Sequence, residues 1–117
     1  MAFKAGFVMM SPDGDPTKHR ASIKTEKLEV TMIIIEFMNF DQAVAVCRDL
    51  AQKEGVQSLF LCPSFHHEAV ARIVNAVGPG VAVAVARGDI PSGMIAGEIL
   101  AKEGWLPEGH EGQPHGN

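Results

Sequence analysis

The sequence predicts a single small α/β domain whose four-stranded, mostly parallel sheet is flanked by helices. Near-continuous apolar runs, typical of strands covered on both faces, recur along the chain and alternate with segments of helical periodicity. The chain has 117 residues, of which 46% are hydrophobic, enough for one core. We expect the domain to span residues 1–106 and a flexible tail rich in Gly, Pro and His to span residues 107–117.

The first strand is predicted over residues 3–10, a short run with β-prone Phe and Val. A loop rich in Pro and Asp follows. Asp15 and Pro16 are a favourable N-cap and first helical residue, so we expect a short helix over residues 17–23.

The second strand is predicted over residues 28–37, where isoleucines run together. Asn39 is followed three residues later by Gln42, the spacing of a capping box. We therefore expect a helix from this point with an apolar stripe, ending at Gly55.

The third strand, over residues 56–62, stops at a tight polar turn. A helix over residues 65–77 is expected to follow, with Ser64 as its cap. A fourth strand is predicted over residues 81–86 and a last helix over residues 92–103, although Gly93 and Gly97 each weaken that helix by about 1 kcal/mol relative to Ala.

The residues do not give the order of these strands across the sheet; if it is 2-1-3-4, as in flavodoxin-like sheets, the winding reverses between the first and third strands. Ligands of such sheets bind outside the carboxyl ends of the strands, where the winding reverses. The loops meeting there would be residues 11–20 and 62–67, which are rich in polar and reactive side chains. The sequence therefore predicts a pocket between these two loops.

Composition limits the classes of partner. A formal charge of -4 and an isoelectric point near 5.7 argue against general affinity for nucleic acid. No apolar stretch approaches the roughly 20 residues of a membrane span, so we expect a cytoplasmic protein that does not bind membranes. Two cysteines in a domain with its own core are expected to stay reduced.

Three segments carry a resemblance to a known family: Phe-Lys-Ala-Gly-Phe at residues 3–7, Asp-Pro-Thr-Lys-His-Arg at residues 15–20, and a strand ending in Cys62 with Phe65 and a histidine after it. The chain resembles an uncharacterised prokaryotic family of small α/β proteins, a domain of unknown function. The resemblance implies this fold and association into a homo-oligomer. It implies no activity.

Cys62 and His66 are the candidate catalytic residues. A thiol near a helix N-terminus and a histidine has a larger thiolate fraction, which suits a nucleophile. The alternative is that Cys62 is a small apolar residue at the end of a buried strand, since free cysteines are among the most buried residue types. Cys47, on the apolar stripe of its helix, is expected only to pack.

A small anionic ligand is the partner that the polar residues suggest. Basic side chains and the free N–H groups of a helix N-terminus can together hold a carboxylate or phosphate. The alternative is ordinary surface ion pairing of the arginines with neighbouring aspartates. The candidate ligand-binding residues are His19, Arg20, Ser64, His67 and Arg87.

No cofactor is expected, because the chain has neither a glycine-rich phosphate loop nor a zinc-binding spacing. Adjacent helical residues point about 100° apart, so His66 and His67 cannot easily grip one metal ion. Three hypotheses remain: a small-ligand-binding protein; an enzyme (lyase, isomerase or hydrolase) using the same pocket; and a structural subunit whose contacts involve the last helix and Trp105. The sequence does not decide whether the protein is an enzyme.

Overall fold

The computed structural model describes residues 1–106; the predicted tail over residues 107–117 lies outside the described residues. One compact unit comprises Met1–Ala86 and a second begins at Arg87. The elements are, in chain order, β1 (Phe3–Ser11), β2 (Arg20–Lys24), β3 (Leu28–Glu36), α1 (Phe40–Gln52), β4 (Ser58–Leu61), α2 (His67–Val77), β5 (Ala82–Val85) and α3 (Ile90–Lys102).

The strands form one mixed sheet in the order β2-β3-β1-β4-β5. Pairings β3-β1, β1-β4 and β4-β5 are parallel, and β2 pairs antiparallel with β3. The α/β class is therefore confirmed. The four predicted strands lie in the relative order assumed from flavodoxin-like sheets, and β2 adds a fifth at the edge.

The short helix predicted over residues 17–23 is wrong. Asp15 does cap the backbone, since its Oδ1 accepts hydrogen bonds from the Thr17 amide at 2.9 Å and the Thr17 hydroxyl at 2.7 Å, but the chain makes only a turn. It then enters β2, where the Ser22 and Thr31 hydroxyls lie 2.7 Å apart across the strand pair. Pairing with β3 supplies the backbone hydrogen bonds that a helix would have made internally.

Helices α1 and α2 pack on each other and on one face of the sheet. Both belong to parallel crossovers that move toward β5, and right-handed crossovers in one direction place their helices on the same face. The core lies between the helices and this face, which we call the helix face. Its fully buried side chains include Val8, Ile35, Cys47, Leu50, Leu59, Leu61, Phe65 and Ile73.

The predicted N-cap of α1 is confirmed, because Asn39 Oδ1 accepts a hydrogen bond from the Gln42 amide at 3.0 Å. The Gln42 side chain does not return to Asn39. Its Oε1 instead accepts from the Glu36 amide at 2.7 Å, and Asn39 Nδ2 donates to Glu36 Oε1 at 2.9 Å. These bonds tie the start of α1 to the end of β3.

Helix α2 begins two residues later than predicted, and its cap is His66 rather than Ser64. His66 Nδ1 accepts a hydrogen bond from the Ala69 amide at 3.1 Å. Residues 62–65 form a turn, in which the Phe65 amide donates to the Cys62 carbonyl at 3.2 Å. The helix can therefore start only after this turn.

Gly14 marks the closest backbone approach in the loop after β1. A Cβ atom at this position would lie 2.1 Å from the Ile35 carbonyl oxygen and 2.6 Å from its carbon. Only glycine allows the loop to pass this close to β3. The Gly14 amide also donates to the carbonyl of Ser11, the last residue of β1, at 2.9 Å.

In the second unit, α3 starts at Ile90, two residues before the predicted start, with Asp89 at its N-cap position and Pro91 in its first turn. None of its residues is buried, and Ile90, Ile95 and Ile99 are more than half exposed. Among the described residues, no helix combines the length and the apolar character that crossing a membrane requires.

Candidate functional site

A shallow depression of about 500 Å³, open to solvent, lies where β3 ends. Its walls are the turn between β3 and α1 and one side chain from α2. The lining residues are Glu36, Phe37, Met38, Asn39, Phe40, Asp41 and Arg72. The depression lies where a parallel strand ends, on a different loop from the two between which the sequence predicted a pocket.

The turn that forms this wall is held in an unusual backbone conformation. Met38 has φ of 63°, the left-handed region that a residue with a long side chain seldom adopts. Its amide donates to Met10 Sδ at 3.3 Å, and the neighbouring Phe37 amide donates to the Ser11 carbonyl at 2.9 Å. Contacts to the end of β1 therefore hold the turn in place.

Arg72 of α2 crosses to the start of α1, where its Nη2 lies 2.6 Å from Asp41 Oδ1. Both side chains are exposed, Asp41 at 88% and Arg72 at 47%, so the pair is worth at most about 1 kcal/mol. Asp41 lies in the first turn of α1, where backbone N–H groups have no intrahelical partner. The mouth of the depression thus combines a guanidinium held by a surface ion pair with the N-terminus of a helix.

His66 borders the depression through an aromatic contact. Its ring lies 4.5 Å from that of Phe40, centroid to centroid, and Phe40 meets the buried Phe65 edge-on at 5.7 Å. Because Nδ1 is used as the cap of α2, Nε2 is the ring nitrogen left for other partners. The hydrogen-bonding role predicted for His66 stays a prediction, now beside Phe40.

The loop over residues 11–20 is stabilised by its own hydrogen bonds. The Ser11 hydroxyl donates to Asp13, which lowers the pKa of that carboxyl, and the bonds from Thr17 lower the pKa of Asp15. His19 Nδ1 accepts from the Asp15 amide at 3.0 Å. The polar groups of this loop are therefore largely engaged with one another.

Arg20 does not pair with Asp13 or Asp15, the partners considered from sequence. It donates to both carboxylate oxygens of Glu54, at 3.1 and 2.7 Å, which raises the pKa of Arg20 and lowers that of Glu54. Lys4, near the amino end of β1, donates to the Glu54 carbonyl at 3.1 Å. The Arg20 guanidinium is thus directed toward the amino ends of the strands, away from the depression.

Cys62 lies at the carboxyl end of β4, where it is 5% exposed and its amide donates to the Val8 carbonyl at 3.1 Å. Its catalytic role stays a prediction. Cys47 packs in the core as expected, and burial raises the pKa of its thiol to about 12. Of the other predicted residues, Ser64 lies in the turn before α2, His67 is the first residue of that helix, and Arg87 begins the second unit.

None of the seven residues predicted from sequence lines this depression. The capping role of Asn39 was the one available signal, since it placed the start of a helix there. Within residues 1–106, no three His, Cys, Asp or Glu side chains are grouped so that they could hold a metal ion.

Residues 3–100 match the profile of a family of unknown function, DUF6506. The chain belongs to the DUF6506 family. This agrees with the resemblance to a domain of unknown function seen in the sequence. Neither the curated proteins nor the solved structures contain a significant match to this DUF6506 chain.

Proposed function

We propose that this DUF6506 protein binds a small carboxylate in the depression between the β3–α1 turn and Arg72. The observation that carries the proposal is the ion pair at the mouth, in which an exposed carboxylate holds Arg72. A ligand carboxylate offers the same geometry as the Asp41 side chain. A ligand carboxylate can replace Asp41 at a small cost in free energy, because a surface ion pair contributes at most about 1 kcal/mol.

Two further features support an anion at this place. The depression lies at the N-terminus of α1, where the helix carries about half a positive charge. Backbone N–H groups in the first turn of a helix can donate to a ligand oxygen. The apolar lining, from Phe37, Met38 and Phe40, suits a ligand with a short hydrocarbon or aromatic part.

The test is a titration of full-length protein with small mono- and dicarboxylates, followed by amide chemical shifts and melting temperature. A ligand at about 100 times its dissociation constant adds about 2.7 kcal/mol, enough to raise the melting temperature by several degrees. We expect the amides of residues 38–42 to shift first.

Arg72→Gln should weaken binding by up to about fivefold, because an exposed ion pair worth at most about 1 kcal/mol is lost. Asp41→Asn should tighten binding, since it frees Arg72 and removes a competing negative charge. Arg48→Gln, on the exposed part of α1, is the matched control and should bind like wild type. If no carboxylate shifts the wild type, or if Arg72→Gln responds like Arg48→Gln, the proposal is wrong.

A further inference from the structure

The sheet has a second face that no element of residues 1–86 covers; we call it the open face. Side chains alternate between the faces of each strand, and Gly6 marks the helix face because a Cβ there would lie 3.5 Å from Leu50 of α1. The neighbours of Gly6 in β1 therefore point to the open face. Large apolar side chains on it include Phe3, Phe7, Met9, Ile23, Val30, Met32, Ile34 and Phe60.

These side chains are accessible to an unusual degree for a parallel sheet. Met32 is 43% exposed, Phe60 39% and Ile23 75%. Phe7 and Phe60 stack side by side on the surface, with centroids 6.3 Å apart. Parallel strands are normally buried on both faces, and large exposed apolar patches mark interaction sites.

The open face carries almost no charge. In the five strands its only ionisable residue is Glu36, at the carboxyl end of β3. The outer sides of α1 and α2, in contrast, carry exposed charged side chains such as Arg48, Lys53 and Glu68. A partner that fits an uncharged, nearly planar face of this kind is another uncharged, nearly planar face.

The open face is large enough for a small interface. Five strands about 4.8 Å apart, each roughly 13 to 30 Å long, give a projected area of about 500 Å². The side chains project from this plane, so the accessible area exceeds the projected one; a standard interface buries roughly 800 Å² on each partner.

A two-fold axis over β1 sets large side chains against small ones in one row of the open face; in the other row it sets Met32 against Phe60 and Phe7 against Phe7 of the second copy. Strand register places Ala21, Met32, Phe7, Phe60 and Ala84 in one row across the open face, and Ile23, Val30, Ala5, Ser58 and Ala82 in the next. A two-fold axis parallel to the strands and passing over β1 exchanges β2 with β5 and β3 with β4. The bulky Ile23 of one copy then faces the small Ala82 of the other, and Val30 faces Ser58.

We propose that the partner of the open face is a second copy of this chain, packed sheet to sheet about a two-fold axis parallel to the strands. The resulting dimer has four layers: helices, sheet, sheet, helices. Sheets packed in this way interdigitate their side chains at a spacing of about 10 Å. The proposal does not rest on the carboxylate site, with which the open face shares Glu36 at the end of β3.

The first test measures molar mass by sedimentation for full-length protein from about 1 to 100 µM. We expect a dimer for the wild type and at least a hundredfold weaker association for Met32→Lys, because two-fold symmetry buries the new charge twice. Ile23→Lys should weaken association about tenfold. Val74→Lys replaces an apolar side chain of similar exposure, 47%, on α2 and should leave the dimer intact.

A wild type that stays monomeric at 100 µM overturns the proposal, as does a dimer that persists in folded Met32→Lys and Ile23→Lys. The orientation has its own test. Ala82→Ile should weaken the dimer about tenfold by overpacking against Ile23 of the other copy, and Ile23→Ala in the same chain should restore it. Failure of this restoration overturns the two-fold axis proposed here.

Discussion

Arg20 and Glu54 form a two-pronged ion pair between the edge strand β2 and the segment that follows α1. Each guanidinium nitrogen donates to a different carboxylate oxygen, at 3.1 and 2.7 Å. The pair joins two segments 34 residues apart along the chain. It is the side-chain contact that ties β2, whose five residues are all exposed, to the helical layer.

Glu54→Gln should remove a pH-dependent part of the stability. Arg20 holds the pKa of Glu54 below its ordinary value of 4.5, so the pair stabilises the fold above that pH, and the stabilisation is lost as the pH falls through the lower, folded-state pKa. Both side chains are more than a third exposed, which limits the effect to about 1 kcal/mol. Urea unfolding should show wild type and variant differing at pH 7 and converging as the pH is lowered below 4.5. A gap that does not narrow over this range would contradict this.

Gly14→Ala should destabilise the protein by about 2 to 3 kcal/mol. The added methyl group would lie 2.1 Å from the Ile35 carbonyl oxygen, so the loop must move away from β3. Gly93→Ala is the control, because a Cβ there meets no atom within 4 Å and the residue is helical. That variant should be neutral or gain up to about 1 kcal/mol. Chemical denaturation of both variants checks the prediction, and equal stabilities would refute it.

His66→Ala should cost about 1 kcal/mol, because α2 loses the side chain that accepts from the Ala69 amide. His66→Asn should recover most of the loss, since Asn is a good N-cap and can accept the same bond. Thermal unfolding of the three proteins provides the measurement. If Asn is no better than Ala, the contribution of His66 comes from its contact with Phe40 and not from the cap.

Cys47 should be inert to thiol reagents in the folded protein. It is fully buried, and a thiol whose pKa is about 12 carries very little thiolate at neutral pH. In Cys62→Ser protein at pH 8, an aromatic disulfide reagent should react only at the rate of unfolding and within seconds in 8 M urea. Rapid reaction without denaturant would show that the core around Cys47 opens readily.

The sequence predicted the parallel strands and α1 because long apolar runs and the Asn39 cap are local signals. It did not give the strand order, which was assumed from flavodoxin-like sheets and agrees with the structure. It missed β2 because all five of its residues are exposed and carry no burial pattern. The Asp15-Pro16 pair then favoured a helix start. Edge pairing with β3 overrode that local preference.

The depression could not be predicted from local signals. Its mouth joins Asp41 and Arg72, which are 31 residues apart and belong to different helices. Only the packing of α1 against α2 brings them together. The composition of the loop over residues 62–67 predicted a reactive site; in the structure its backbone forms a turn and His66 caps α2.

The central position of β1 governs when the sheet can assemble. The first strand pairs on one side with β3, as Phe3 does with Leu28, and on the other with β4, as Ala5 does with Ser58. During synthesis, one edge of β1 therefore stays unpaired until more than half of the chain has been made. Such non-local contacts slow folding relative to a helical bundle of this length, and until β4 arrives the apolar edge of β1 is the segment most in need of protection from aggregation.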